Sequence, residues 1–229
     1  MPLIKFLRST VGLKIIMGLT GAALFAFTVI HMVGNLQIFL GQEALNNYAQ
    51  MLHASDEVIW GFRLGLGAVA ALHIICAIAL TIRNRAARGS EAYAEYAAPG
   101  ASLASRTMAV SGVIVAAFIV FHLLHFTTQT IDPSFKELTE IHKGAERHDV
   151  YAMVIKGFSV PWVSAFYIIS VALLSFHLSH GIASCFRSMG LTNPAYREVQ
   201  EWFGLAFAII IFVGMAAVPA SVLLGFVKL

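Results

Sequence analysis

A chain of 229 residues that is 59% hydrophobic and 12% charged holds more apolar surface than a soluble core can hide. Its mean hydropathy of +0.79 points the same way. The net charge of +3 sits in short basic clusters beside apolar stretches, and no soluble basic domain is present to bind nucleic acid. The composition therefore predicts an all-α membrane protein of one domain, residues 1–229, in a lipid bilayer.

The first apolar run, about 13–40, has Lys5 and Arg8 ahead of it and Lys14 at its very start. A secretory signal would have only about 7–15 apolar residues and a small-residue cleavage site. This run is longer and lacks such a site, so it is expected to remain as the first span. Four more are predicted at about 58–82, 107–131, 161–186 and 203–227. Each can cross about 30 Å of hydrocarbon at about 1.5 Å per residue as a helix. A membrane barrel would instead show alternating segments of about ten residues.

The connections at 41–57 and 132–160 fall on one side of the membrane. The longer lies between Pro133 and Pro161 and is expected to lay an interfacial helix over the outer face. On the other side, 83–105 contains Gly89, Pro99 and Gly100 and reads as a connector facing a cytoplasmic partner. Basic residues set the orientation. Lys5, Arg8, Lys14, Arg83, Arg85, Arg88, Arg106, Arg187 and Arg197 share one side, with the Arg cluster at 83–88 directly at a helix end. That side is assigned to the cytoplasm, which puts the N-terminus inside and the C-terminus outside a bacterial inner membrane.

Ionisable groups at bilayer depth are expensive, so histidines inside these spans are functional candidates. Phe121-His122-Leu123-Leu124-His125 recurs as Phe176-His177-Leu178-Ser179-His180, and two earlier spans add His31 and His73. His31, His73, His122 and His177 each lie a few residues past the midpoint of their own span. Successive spans run in opposite directions, which puts His31 with His122 toward the outer leaflet and His73 with His177 toward the cytoplasmic one. An offset of roughly 3–5 residues separates the two levels by about 10–15 Å. Paired imidazoles are standard axial ligands of haem iron, so two b haems are expected, each suited to electron transfer because no coordination position is open. His125 and His180 lie one turn further and read as propionate, quinone or water contacts. His53, His142 and His148 fall in outer loops and are expected to be solvated. Cys76 and Cys185 are single residues that no iron–sulfur motif uses. No predicted span contains Asp or Glu, so a proton path through them would need propionates, water or hydroxyls.

The ordered motifs resemble the cytochrome b subunit of succinate:quinone oxidoreductases, in the five-helix, two-haem branch that serves succinate dehydrogenases and fumarate reductases. The likeness runs along nearly the whole chain: Ser9-Thr10-Val11-Gly12-Leu13-Lys14, His31-Met32-Val33-Gly34-Asn35-Leu36, Arg85-Ala86-Ala87-Arg88-Gly89, Ser105-Arg106-Thr107-Met108, and Phe176 to Gly181 followed by Ser184, Phe186, Ser188 and Gly190. The resemblance implies His31, His73, His122 and His177 as axial ligands, paired as the depth argument pairs them. It implies two partners, a flavoprotein with FAD and an iron–sulfur subunit with three clusters, between which and a membrane quinone this chain passes electrons. Menaquinone is the quinone that the two-haem branch suggests. Arg8, Lys14, Arg83, Arg106 and Arg187 are candidate propionate contacts, together with His125 and His180. Asn35, Gln37, Asn46, Tyr48 and Gln129, with His125, are candidate quinone contacts. The alternatives are a haem b subunit of another respiratory complex, such as a hydrogenase or formate dehydrogenase, and a haem-free transporter, against which the lack of broken helices and intramembrane carboxylates argues.

Overall fold

The computed structural model describes residues 2–88, 103–191 and 193–229. Among these, five helices are long and apolar enough to cross a membrane, which makes the chain a multi-pass helical membrane protein. The element order is α1 Pro2–Leu7, α2 Thr10–Asn35, α3 Gln42–Leu52, α4 Asp56–Arg88, α5 Leu103–His122, β1 Thr139–His142, β2 Ala145–His148, α6 Val150–Phe158, α7 Pro161–Ser188 and α8 Pro194–Leu223. A 3-10 segment, Leu36–Leu40, continues α2, and a π turn, Leu123–Thr127, continues α5. The connector residues Gly89, Pro99 and Gly100 lie outside the described residues.

The spans fall where hydropathy puts them, but their ends do not, because caps rather than apolarity stop a helix. α8 begins nine residues before the predicted 203, with Pro194 in its first turn and the Asn193 side chain accepting from Ala195 N–H at 2.9 Å. α7 and α8 close on glycines in the left-handed region, Gly190 (φ 84°) and Gly225 (φ 75°). The bonds Leu191 N–H to Phe186 O and Phe226 N–H to Ser221 O complete the Schellman arrangement at each. These longer helices also bring Asp56, Glu57, Glu198 and Glu201 inside helical segments, at their ends, where none was expected.

The connections at 41–57 and 132–160 are more structured than predicted. The stretch 132–160 holds the expected helix, α6, but also an antiparallel hairpin pairing Thr139 with His148 and His142 with Ala145. Lys143 (φ 52°) and Gly144 (φ 80°) form its two-residue turn, a left-handed pair that suits the strand twist. The stretch 41–57 holds α3. Strands of four residues, three of them polar in each, give too weak an alternation to be read from sequence.

Two compact units partition the chain, and the division cuts each of the five long helices. One comprises 1–27, 63–112 and 176–208; the other comprises 28–62, 113–175 and 209–229. In the first, edge-to-face contacts join Phe25 to Phe207 and Phe186 to Phe203, and the Arg83 guanidinium donates to Arg8 O at 2.8 Å. Here α8 crosses α7 closely at Gly204, where a Cβ would lie 2.6 Å from Ser179 O. Backbone cannot yield as a side chain can, so Gly204→Ala is expected to destabilise by about 1–3 kcal/mol. Thermal unfolding in detergent checks this, with Gly61→Ala as the neutral control because nothing lies within 4 Å of that site.

The second unit is built round Ile38, Leu45, Phe118, Val154, Ile155, Phe158, Val163 and Tyr167, all buried. A polar clasp locks its loops together. Asn46, 1% exposed, donates to Asp149 (2.9 Å) and Glu140 (2.8 Å) and accepts from Tyr151 N–H (2.9 Å). Asp149 also accepts from Gln42 (2.7 Å) and caps α6 through Ala152 N–H (3.0 Å). Arg147 pairs with Glu140 at 2.7 Å and reaches Asn47 and Gln50.

Candidate functional site

Each unit contains two of the four histidines singled out by depth. In the first unit, His73 on α4 and His177 on α7 are both half-buried. His73 Nδ1 lies 3.2 Å from Met17 O and 3.2 Å from Thr20 Oγ1. A carbonyl only accepts, and the Thr20 hydroxyl already gives its proton to Ile16 O at 2.8 Å. Nδ1 must therefore carry the ring proton, which leaves the lone pair on Nε2. At His177 the partner is a hydroxyl: Ser111 Oγ lies 3.2 Å from Met108 O and 3.1 Å from His177 Nδ1, and when its proton goes to the carbonyl its oxygen accepts from Nδ1–H. α2 thus fixes His73 in the tautomer that offers Nε2 to a metal, and α5 gives His177 a partner compatible with the same tautomer. Glycines make room for the rings: a Cβ at Gly21 would sit 3.2 Å from His73 Cε1, and one at Gly112 would sit 3.6 Å from His177 Cε1.

In the second unit, the rings of His31 on α2 and His122 at the end of α5 have centroids 5.7 Å apart and planes at 81°. Imidazoles on opposite sides of one metal, each with a bond of about 2 Å and a nitrogen about 1 Å from its ring centre, would have centroids roughly 6 Å apart. Ordinary edge-to-face contact spans the same range, so distance alone does not discriminate and the donor pattern carries more weight. Asn35 Nδ2 donates to His31 O at 2.8 Å and lies 3.3 Å from His31 Nε2, so Nε2 is the unprotonated nitrogen but its lone pair faces the Asn35 N–H, a contact that ligation through Nε2 would have to open. His122 Nδ1 lies 3.3 Å from the Tyr167 hydroxyl.

The remaining candidates divide. Arg8, Lys14, Arg83 and Arg106 are exposed, Arg187 is half-buried and 4.0 Å from Glu201, and His180 is half-buried. Asn46, read from sequence as a quinone contact, has both amide protons and its oxygen engaged in the clasp. Tyr48 packs against Gly34, where a Cβ would meet its ring at 2.6 Å. Gln37 lies half-buried in the 3-10 segment. Gln129, with φ 54°, donates to His148 Nε2 at 3.1 Å and approaches Met153 S at 3.2 Å. His125, 3% exposed, packs against Phe121, Phe126, Phe135 and Tyr167. Thr20, Ser111 and Tyr167 carried no signal in the sequence, because a hydroxyl on an apolar helix is equally well satisfied by its own backbone.

His148 is half-buried rather than solvated. Burial lowers its pKa below the ordinary 6.5, against the opposing pull of the Leu138 carbonyl and Asp149, while His53 lowers it further. The unfolded chain then binds the extra proton first as pH falls, so stability present above 6.5 is lost between 6.5 and the lower folded value. The apparent Tm is expected to fall on acidification through that window, and His148→Gln to flatten the profile; an unchanged slope in the variant would contradict this. Comparison of the chain with protein families, with characterised proteins and with solved structures finds no match.

Proposed function

We propose that this chain is the di-haem cytochrome b anchor of a succinate:quinone oxidoreductase. His73 and His177 would hold one b haem and His31 and His122 the other. The observation that carries the reading is the donor pattern: Met17 O requires Nδ1 of His73 to be the protonated nitrogen, which leaves Nε2 as a ligand, and Ser111 offers His177 Nδ1 a partner compatible with the same tautomer. Among the described residues, no group of three or more His, Cys, Asp or Glu is arranged to hold a bare ion. A pair of imidazoles supplies two ligands, so an iron between them needs an equatorial set of its own, as porphyrin provides. Bound haem supplies one-electron transfer.

The chain's own work is to orient His73, His177 and His122 through Nδ1 and to keep water from the rings with apolar packing. In the orientation given by the basic residues, the His73 and His177 end faces a cytoplasmic iron–sulfur subunit and flavoprotein, and quinone, most simply menaquinone, meets the chain at the other end. The test is a dithionite-reduced minus oxidised spectrum of the purified complex with haem quantified per polypeptide. Two low-spin b haems with co-purifying covalent flavin are expected. Haem without that flavin favours a subunit of another respiratory complex, and no haem returns the histidines to packing.

A further inference from the structure

The His122 site has a feature that ligation does not use. Tyr167 on α7 brings its hydroxyl within 3.3 Å of His122 Nδ1 and 3.1 Å of His125 Nδ1. Tyr167 is 5% exposed and His125 3%, so neither exchanges these contacts for water. The rings of Phe118, Phe158, Phe126 and Phe121 surround the phenol with centroids 5.2, 5.0, 5.7 and 6.0 Å away. His125 itself lies in the π turn that follows α5, closed by Thr128 N–H to Leu123 O at 2.8 Å. Single π turns are frequent at functional sites.

A phenol has one proton to give. An imidazole that ligates through Nε2 keeps its proton on Nδ1, so His122 donates to the Tyr167 oxygen. The Tyr167 hydroxyl then donates to His125 Nδ1, and His125 carries its own proton on Nε2. Both hydrogen bonds run in this one direction, His122 to Tyr167 to His125, and each polarises the next.

Resting on the haem reading above, we propose that Tyr167 is a positioning residue for His122 and His125 the anchor of Tyr167, so that this triad tunes one haem and not the other. Accepting a hydrogen bond from Nδ1–H would make the imidazole a stronger donor to iron and favour the ferric state. His125 strengthens that acceptance by accepting in turn from the phenol O–H. In this role His125 serves the ligand itself rather than a propionate or a quinone.

The experiment is a potentiometric titration of both haems in the purified complex, followed optically and by low-temperature EPR. Tyr167→Phe, which keeps the ring and removes the hydroxyl, is expected to raise one midpoint by up to about tenfold in the ferrous to ferric ratio, tenfold being about 59 mV for one electron. The g values of that haem should move and those of the other should not. His125→Phe should shift the same haem in the same direction by less, and Ser111→Ala should shift only the other haem. Unchanged midpoints in Tyr167→Phe, or equal shifts of both haems, overturn the inference while leaving the haem reading intact. If Tyr167→Phe loses haem on purification, an unshifted midpoint in His125→Phe overturns it instead. A wild-type complex with no haem to titrate overturns both.

Discussion

On the di-haem reading proposed above, replacing His122 with alanine is expected to reduce the haem content from about two per polypeptide to about one, with the remaining haem spectrally normal. The reasoning rests on the separation of the two pairs: His31 and His122 belong to one compact unit and His73 and His177 to the other. An iron with two axial imidazoles loses half of its protein ligation when one is removed, and low-spin bis-imidazole character with it. The hydrogen bonds of Thr20, Met17 and Ser111 involve neither His31 nor His122, so the other centre keeps its orientation. His73→Ala should give the complementary loss. Haem quantified per chain checks both, and the loss of both haems from either single variant would show that the units do not hold their cofactors independently.

The second large effect concerns stability and is independent of any cofactor. Asp149→Ala should destabilise the fold by about 3 kcal/mol or more, because it strips several buried groups at once. Asn46, 1% exposed, loses one of its acceptors, and α6 loses the carboxylate that caps Ala152 N–H. A buried donor left unsatisfied costs about 1–3 kcal/mol and a lost N-cap about 0.5–2 kcal/mol. Gln42→Ala, which removes only the outer partner of the same carboxylate, should cost about 1 kcal/mol. Thermal unfolding in detergent, together with the protease resistance of 132–160, measures the difference. Equal effects from the two variants would mean that Asn46 finds another acceptor.

The pattern of what the sequence revealed follows from the range over which each signal acts. Twenty apolar residues in a row respond to one bulk solvent, so the five spans are legible from composition alone. Helix ends answer to single residues such as Asn193, Gly190 and Gly225, which hydropathy ignores, and α8 accordingly starts well before its apolar stretch. The histidines stand out because charge at depth is rare. Their partners do not, since Thr20, Ser111 and Tyr167 acquire their meaning only when another helix brings a ring nitrogen to them. The clasp is least legible of all: Asn46 and Asp149 are separated by 103 positions, and each alone looks like a loop residue. The Phe-His-Leu-Leu-His repeat was informative and also misleading, since it marked His125 as notable but gave no hint that its neighbour would be a phenol.

The division that cuts every long helix has a further consequence in time. One unit needs residues as late as Ala208 and the other needs them to Leu229, while both begin within the first 28 residues. Neither half can therefore close before α8 has been made. At about 5–20 residues per second, the first helix waits on the order of 10–40 seconds for the last. Over that interval the four histidine-bearing helices are made one after another, and the last of them, α7, precedes the end of α8 by only 35 residues, about 2–7 seconds. Assembly of this protein is governed by its last-made helix, even though that helix contributes none of the four histidines.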